Sequence, residues 1–168
     1  MFVDETGTTT RMVRTHGWGR KGEKLIGRAP HGHWLTQTFI AGLAHDGFLA
    51  PMLLPCPMTG ELFRQWLEEC LIPELQPGSI VVLDNLAAHK VMGVRQCLEA
   101  AGMELLYLPP YSPDLNPIEL AFAKIKRALR HSAPRSFDAI CDALASILQT
   151  LSSAECTNYL RHAGYVQS

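Results

Sequence analysis

Apolar positions recur along the chain in two rhythms, and the change of rhythm marks the elements. Residues 1–5 form an apolar triplet closed by two acids, which predicts a strand. Thr8–Arg14 and Trp34–Leu43 are rich in β-branched and aromatic residues and predict two more strands, around a basic loop carrying Gly17, Gly19 and Gly22. Leu49–Leu54 predicts a further short strand. After Thr59, a good N-cap, Leu62, Trp66, Leu67 and Cys70 fall at helical spacing. In Ser79–Asp84 the unbroken run Ile80-Val81-Val82-Leu83 reads as a central strand covered on both faces. Residues 88–101 predict a helix with Val91, Val94, Leu98 and Ala101 on one stripe, closed by Gly102. Met103–Leu108 predicts a strand stopped by Pro109-Pro110. A turn-rich segment then leads into a helix over Pro117–His131, with Ile118, Leu120, Phe122, Ile125 and Leu129 inward, and a final helix runs from Phe137 to Leu151. Strands alternating with helices imply an α/β fold, a mixed five-stranded sheet flanked by helices.

Composition narrows the class. The chain has 168 residues, 47% hydrophobic and 18% charged, enough for one sizeable core and too apolar for a disordered chain. No repeat or linker divides it, so residues 1–168 read as a single domain. No apolar run reaches the roughly 18 residues of a membrane span, and the N-terminus lacks a signal peptide. Five widely spaced cysteines exclude a disulfide scaffold and fit a reducing cytoplasm. His31 and His33 with His45 lack a fourth ligand at zinc spacing.

Charge changes the picture by where it lies. The net charge is −1, yet residues 11–28 carry a net +5 and residues 124–135 another +5, leaving −11 on the rest. Two basic patches on an otherwise acidic chain suit a phosphate backbone.

Three carboxylates stand where ligands gather in an open α/β sheet, at the carboxyl ends of strands. Asp4 closes the first strand, with Glu5 as an alternative, and alternation allows only one of the two to join Asp84. Asp84 follows Ile-Val-Val-Leu and is too polar for a core face. Glu119, in Asn116-Pro117-Ile118-Glu119, sits in the first turn of a helix, where Asn116 as N-cap and Glu119 three residues on form a capping-box pattern. Three such groups suit Mg²⁺ or Mn²⁺, which prefer oxygen ligands, and a pair of ions can cleave a phosphodiester.

The strings Val3-Asp4-Glu5, Val82-Leu83-Asp84-Asn85-Leu86-Ala87-Ala88-His89 and Leu108-Pro109-Pro110-Tyr111-Ser112-Pro113-Asp114-Leu115-Asn116-Pro117-Ile118-Glu119 resemble the DDE transposases, in the bacterial insertion-sequence branch allied to the mariner group. The 34 residues between Asp84 and Glu119 are a spacing used in that group, and the tail Tyr159–Tyr165 is similar to the family's C-terminal end. The resemblance implies a ribonuclease H-like fold, with Asp4, Asp84 and Glu119 as catalytic ligands of two Mg²⁺ or Mn²⁺ ions. It implies cleavage of transposon-end DNA by activated water, strand transfer into target DNA, and a bacterial cytoplasmic setting. Asn85, His89, Trp18, Arg20, Lys21, Lys124, Lys126 and Arg127 are implied as residues supporting the metal ligands or touching DNA; for Trp18 the residues alone favour packing under its loop. Phe122 stands near the place of the family's usual tryptophan. The chain begins at the first catalytic strand, without the family's N-terminal helix-turn-helix region, so end recognition is expected from a homodimer or a separate DNA-binding polypeptide. Two other readings are open at this point: a catalytically silent nucleic-acid-binding remnant, and a general ribonuclease H-like nuclease.

Overall fold

The computed structural model describes residues 1–27, 30–31 and 34–166. Arg28, part of the first basic stretch, and His33 of the histidine cluster lie outside the described residues. Five strands form one sheet: β1 (Phe2–Thr9), β2 (Thr36–Leu43), β3 (Phe48–Leu54), β4 (Ile80–Leu83) and β5 (Glu104–Tyr107), in the order β3-β2-β1-β4-β5. β1 pairs antiparallel with β2 and β2 with β3, whereas β4 runs parallel to β1 and to β5. The mixed five-stranded sheet is therefore as expected. The segments 1–5 and Thr8–Arg14 are not separate strands, however. β1 runs through both as far as Thr9, because its whole length pairs with β2 from Phe2↔Leu43 to Thr9↔Thr36.

The helices are α1 (Gly60–Trp66), α2 (Val94–Ala100), α3 (Pro117–Ser132), α4 (Phe137–Gln149) and α5 (Ser153–His162). Thr59 caps α1 as its position promises, accepting from Leu62 N at 3.2 Å. A π-helical turn, Leu67–Leu71, prolongs α1 and buries Leu67 and Leu71. The helix expected over 88–101 is broken. Residues 87–90 make a 3₁₀ turn, and α2 begins only after Gly93. Gly93 has φ 104, a left-handed conformation that costs glycine little, and a Cβ there would meet Arg64 Cδ at 2.8 Å. Instead of ending at Leu151, the chain turns at Ser152, whose hydroxyl caps α5.

Strand alternation splits the core into two layers. Phe2 joins Phe39, Ile118, Phe122 and Ile125 beneath α3, α4 and α5. Val3 joins Phe63, Trp66, Val81, Leu83 and Leu98 beneath α1 and α2. On α3, Ile118, Ala121, Phe122, Ile125 and Leu129 face inward, whereas Leu120, expected inside, is 38% exposed because it falls off that stripe. Phe122 sits edge-on to Phe39 with centroids 5.8 Å apart. Phe122→Ala is expected to destabilise the chain by about 3–5 kcal/mol, read as a lower midpoint in urea unfolding. The same change loosens the helix that carries Glu119.

Candidate active site

The parallel register of β1 and β4 pairs Phe2 with Val82 and Val3 with Leu83. The next residue on each strand is an aspartate, Asp4 or Asp84. Adjacent strands lie about 4.8 Å apart, so the register alone brings the two acids to one edge of the sheet. β4 ends there while β1 continues beside β2, and the cleft opens where the chains part. Asp4, on the same face of β1 as Phe2, looks toward α3. A cleft of about 510 Å³ is lined by Asp4, Asp84 and Glu119 together with Asn85, Lys90 and Asn116. The three acids singled out in the sequence thus border one cavity. Among the described residues, no three or more His, Cys, Asp or Glu side chains are drawn together closely enough to hold a metal ion between them.

Each acid is held by its own element. Asp4 is 4% exposed; its Oδ1 accepts from Glu5 N at 2.8 Å and its Oδ2 from Asn116 Nδ2 at 2.8 Å. Burial, reinforced by the charges of Asp84, Glu5 and Glu119, pushes the Asp4 carboxyl up to about 7, even though the Glu5 N–H bond pulls the other way. Asp84 Oδ1 accepts from Leu86 N at 2.9 Å and lies 2.6 Å from His89 Nδ1. Burial acts to raise the Asp84 carboxyl, but the His89 and Leu86 hydrogen bonds and the nearby cations His89 and Lys90 bring it below its ordinary value. Glu119 is exposed in the first turn of α3. The capping box expected there does not form. Asn116 makes no side-chain cap bond: its Nδ2 donates to Asp4, and its Oδ1, the atom a cap would use, has no partner among the described residues.

His89 is the centre of a second arrangement. It is fully buried, its ring tilted 36° against Phe63 with centroids 4.3 Å apart, with Nε2 2.7 Å from Glu5 Oε2 and Nδ1 on Asp84. Burial alone would lower its basicity, yet the hydrogen bonds and charges of Asp84 and Glu5 raise it to about 9. At neutral pH it is an imidazolium between two carboxylates. Alternation does send Asp4 and Glu5 to opposite faces, but Glu5 still reaches Asp84, through the imidazole on the other face. Only Asp4 shares the cleft with Asp84 directly, as alternation predicts, and Glu5 is linked to Asp84 solely by way of His89. Tyr107 OH donates to the His89 carbonyl at 2.9 Å and fixes its backbone.

The remaining candidates separate. The Asn85 amide donates to the Leu108 carbonyl and ties the end of β4 to the end of β5. Lys126 and Arg127, with Arg14 and Arg130, line a cleft of about 680 Å³ that shares Glu119 with the acidic one. Lys124 does not join them: its ammonium sits 2.7 Å from both oxygens of Glu155 and binds α3 to α5. Arg20 and Lys21 are on the exposed loop between β1 and β2. Trp18 is 101% exposed, not packed under that loop. Arg130, on the basic rim that the sequence places beside Glu119, does line that cleft. Sequence reasoning missed two residues that the fold recruits: Arg14, read only as part of the first basic stretch, and the amide of Asn116, read only as a helix cap.

Asp4 lies within β1 rather than closing it as the sequence suggests, and with Asp84 just past the end of β4 and Glu119 on α3 it forms an acidic cleft suited to phosphodiester cleavage. A family model described as DDE superfamily endonuclease matches residues 1–141, and the chain belongs to that family. Among solved structures it is similar to the Mos1 transposase paired-end complex with left transposon end, with TM-score 0.75 at 19% identity over 96% of this chain and 52% of that chain. It is also similar to the Mos1 mariner paired end complex with Mn (0.72, 20%, 96% and 52%) and to the catalytic domain of Mos1 mariner transposase (0.70, 17%, 96% and 76%). This likeness establishes the ribonuclease H-like fold. The chain spans about half the length of the transposase chains in those complexes. No curated protein sequence matches it. Among the described residues, no helix is long and apolar enough to cross a membrane.

Proposed function

We propose that this chain is the catalytic domain of a DNA transposase, with Asp4, Asp84 and Glu119 as ligands of divalent cations, Mg²⁺ or Mn²⁺, in a two-ion site. The observation that carries the reading is the meeting of these three carboxylates in one cleft, with Asp4 buried among anions. The donor set fits hard cations, being carboxylate oxygen throughout, and a cation would offset the burial, and the lesser repulsion from neighbouring acids, that raise Asp4. The similar Mos1 structures are complexes with a transposon end, with Mn and with Mg, which supports the same partners here.

When bound, such cations activate water and stabilise the leaving oxygen of a phosphodiester. The protein supplies position. Glu5 N and Asn116 fix Asp4, Leu86 N and the Glu5–His89 pair fix Asp84, and α3 carries Glu119. In this reading His89 is a positioning residue for Asp84, and Asn85 shapes the cleft floor. The groove of Arg14, Lys126, Arg127 and Arg130 takes the phosphate backbone beside the reacting bond. Trp18, Arg20 and Lys21 on the exposed loop offer stacking and charge to a second stretch of DNA. Strand transfer then follows: the freed 3′-hydroxyl loses its proton and bonds to a target phosphorus, the target's P–O3′ bond breaks, and the target 3′-oxygen leaves as a hydroxyl. Binding of transposon-end DNA is shared with a second copy of the chain or with a separate DNA-binding polypeptide, and the five free cysteines fit a bacterial cytoplasm.

The test is nicking of supercoiled plasmid by the purified chain in Mn²⁺ or Mg²⁺, against an EDTA control. Metal-dependent nicking, with joining of a 3′-hydroxyl oligonucleotide to target DNA, is the expected result. Retention of DNA without any cleavage would identify the silent binding module, and preference for an RNA–DNA hybrid would identify a general ribonuclease H-like nuclease.

A further inference from the structure

Asn116 occupies the position before α3 but does not act as its cap. Its side chain reaches across 112 residues of sequence to Asp4, Nδ2 to Oδ2 at 2.8 Å. The residue is 5% exposed and lines the acidic cleft. Its other amide atom, Oδ1, is buried with no hydrogen-bond partner among the described residues. Two costs coincide at this one side chain, a forgone helix cap and an unpaired buried acceptor. Buried polar atoms are almost always paired, so an exception needs a reason.

We propose that Asn116 is the positioning residue of the cation site: its N–H group holds Asp4 Oδ2 at the cleft, and its unpaired Oδ1 accepts a hydrogen bond from a water that enters with a divalent cation. The inference rests on the reading of Asp4, Asp84 and Glu119 as the cation site. An amide is the side chain suited to both tasks, since it offers a donor to an anion and an acceptor to water on one planar group. Aspartate at this position would set a fourth negative charge against Asp4. Alanine would leave Asp4 Oδ2 with no donor from this side. Groups that orient metal-binding side chains in this way typically govern affinity by tenfold to a hundredfold.

The experiment titrates Mn²⁺ into the full chain, with free Mn²⁺ read by electron paramagnetic resonance and thermal melts recorded with and without the ion. Asn116→Ser is the decisive variant, because serine caps helices well and so preserves the start of α3 while being too short to replace the Asp4 contact. Asn116→Ser and Asn116→Ala are expected to weaken Mn²⁺ binding by about tenfold to a hundredfold, with the melt of Asn116→Ser still cooperative and within a few degrees of the parent's. Mn²⁺ affinity within twofold of the parent overturns the inference. A lowered melting temperature with unaltered affinity also overturns it, since that is what a merely structural contact would show. Asp84→Asn separates the two levels. If it abolishes Mn²⁺ binding while Asn116→Ser binds normally, this inference alone fails. If it binds Mn²⁺ like the parent, the cation site fails and this inference with it.

Discussion

Asp84→Asn is expected to lower metal-dependent strand cleavage by about a thousandfold or more, with little loss of folded structure. A cation that polarises the scissile phosphate contributes several kcal/mol to the transition state, and each 1.36 kcal/mol is about a factor of ten in rate. Asparagine keeps an oxygen for Leu86 N, which Asp84 Oδ1 now serves at 2.9 Å, so the turn after β4 survives. Two electrostatic changes then oppose each other. The His89 imidazolium loses one of its two anionic partners, which destabilises the fold. Asp4 loses a like-charged neighbour, which eases its burial and lowers its proton affinity. Plasmid nicking rates at fixed Mn²⁺ and circular dichroism melts measure the two sides. A nicking rate within tenfold of the parent's would sink the assignment of Asp84.

The largest effect on stability is expected from His89. Removing it in His89→Ala leaves Glu5 Oε2 and Asp84 Oδ1 without their shared cation, and it opens a cavity beside Phe63. Breaking a buried ion pair by deleting one partner costs about 3–5 kcal/mol, which for a chain of this length lowers the melting temperature by roughly 10 °C. The effect depends on pH with a definite sign. The folded value of about 9 lies above the ordinary 6.5, so the fold binds a proton that the unfolded chain releases. The stability His89 contributes is therefore complete below pH 6.5 and lost as pH rises through about 9. The difference between parent and His89→Ala in urea unfolding should accordingly narrow from pH 7 to pH 10; a constant gap would show that the imidazolium is not what holds the pair.

Asp4 tilts stability in the same direction at lower pH. Its folded value of about 7 exceeds the ordinary 3.8, so ionising it in the fold costs on the order of 4 kcal/mol, spent progressively as pH rises from about 4 to about 7. A divalent cation offsets that cost only where the carboxylate is ionised. Mn²⁺ should therefore raise the melting temperature more at pH 8 than at pH 5.

Much of this molecule can be read from its residues. The unbroken run Ile80–Leu83 is a buried strand, and the stripe Ile118, Phe122, Ile125 and Leu129 is the inward face of α3. Asp84 could be singled out as a polar group closing an apolar run, and Glu119 as an acid in the first turn of a helix. The misreadings share one cause, which is that a local motif was completed by a distant partner. Asn116-Pro117-Ile118-Glu119 has the form of a capping box, but the Asn116 amide finds a carboxylate from β1. Lys124 has the look of a phosphate ligand, but Glu155 of α5 claims it. Residues 88–101 have a helical stripe, but the chain breaks at Gly93 and His89 turns inward to meet Glu5.

Period and polarity along the chain were sufficient to place most of the strands and helices and the acid that closes β4, because burying an apolar face imposes its rhythm on whatever sequence does it. Which acids share a cleft was decided only by the parallel register of β1 and β4, and which partner each one holds only by the packing of α3 and the His89 turn against β1. Hydrogen bonds between residues 84 and 112 positions apart leave no periodic trace in a sequence, since their geometry exists only once the sheet has closed.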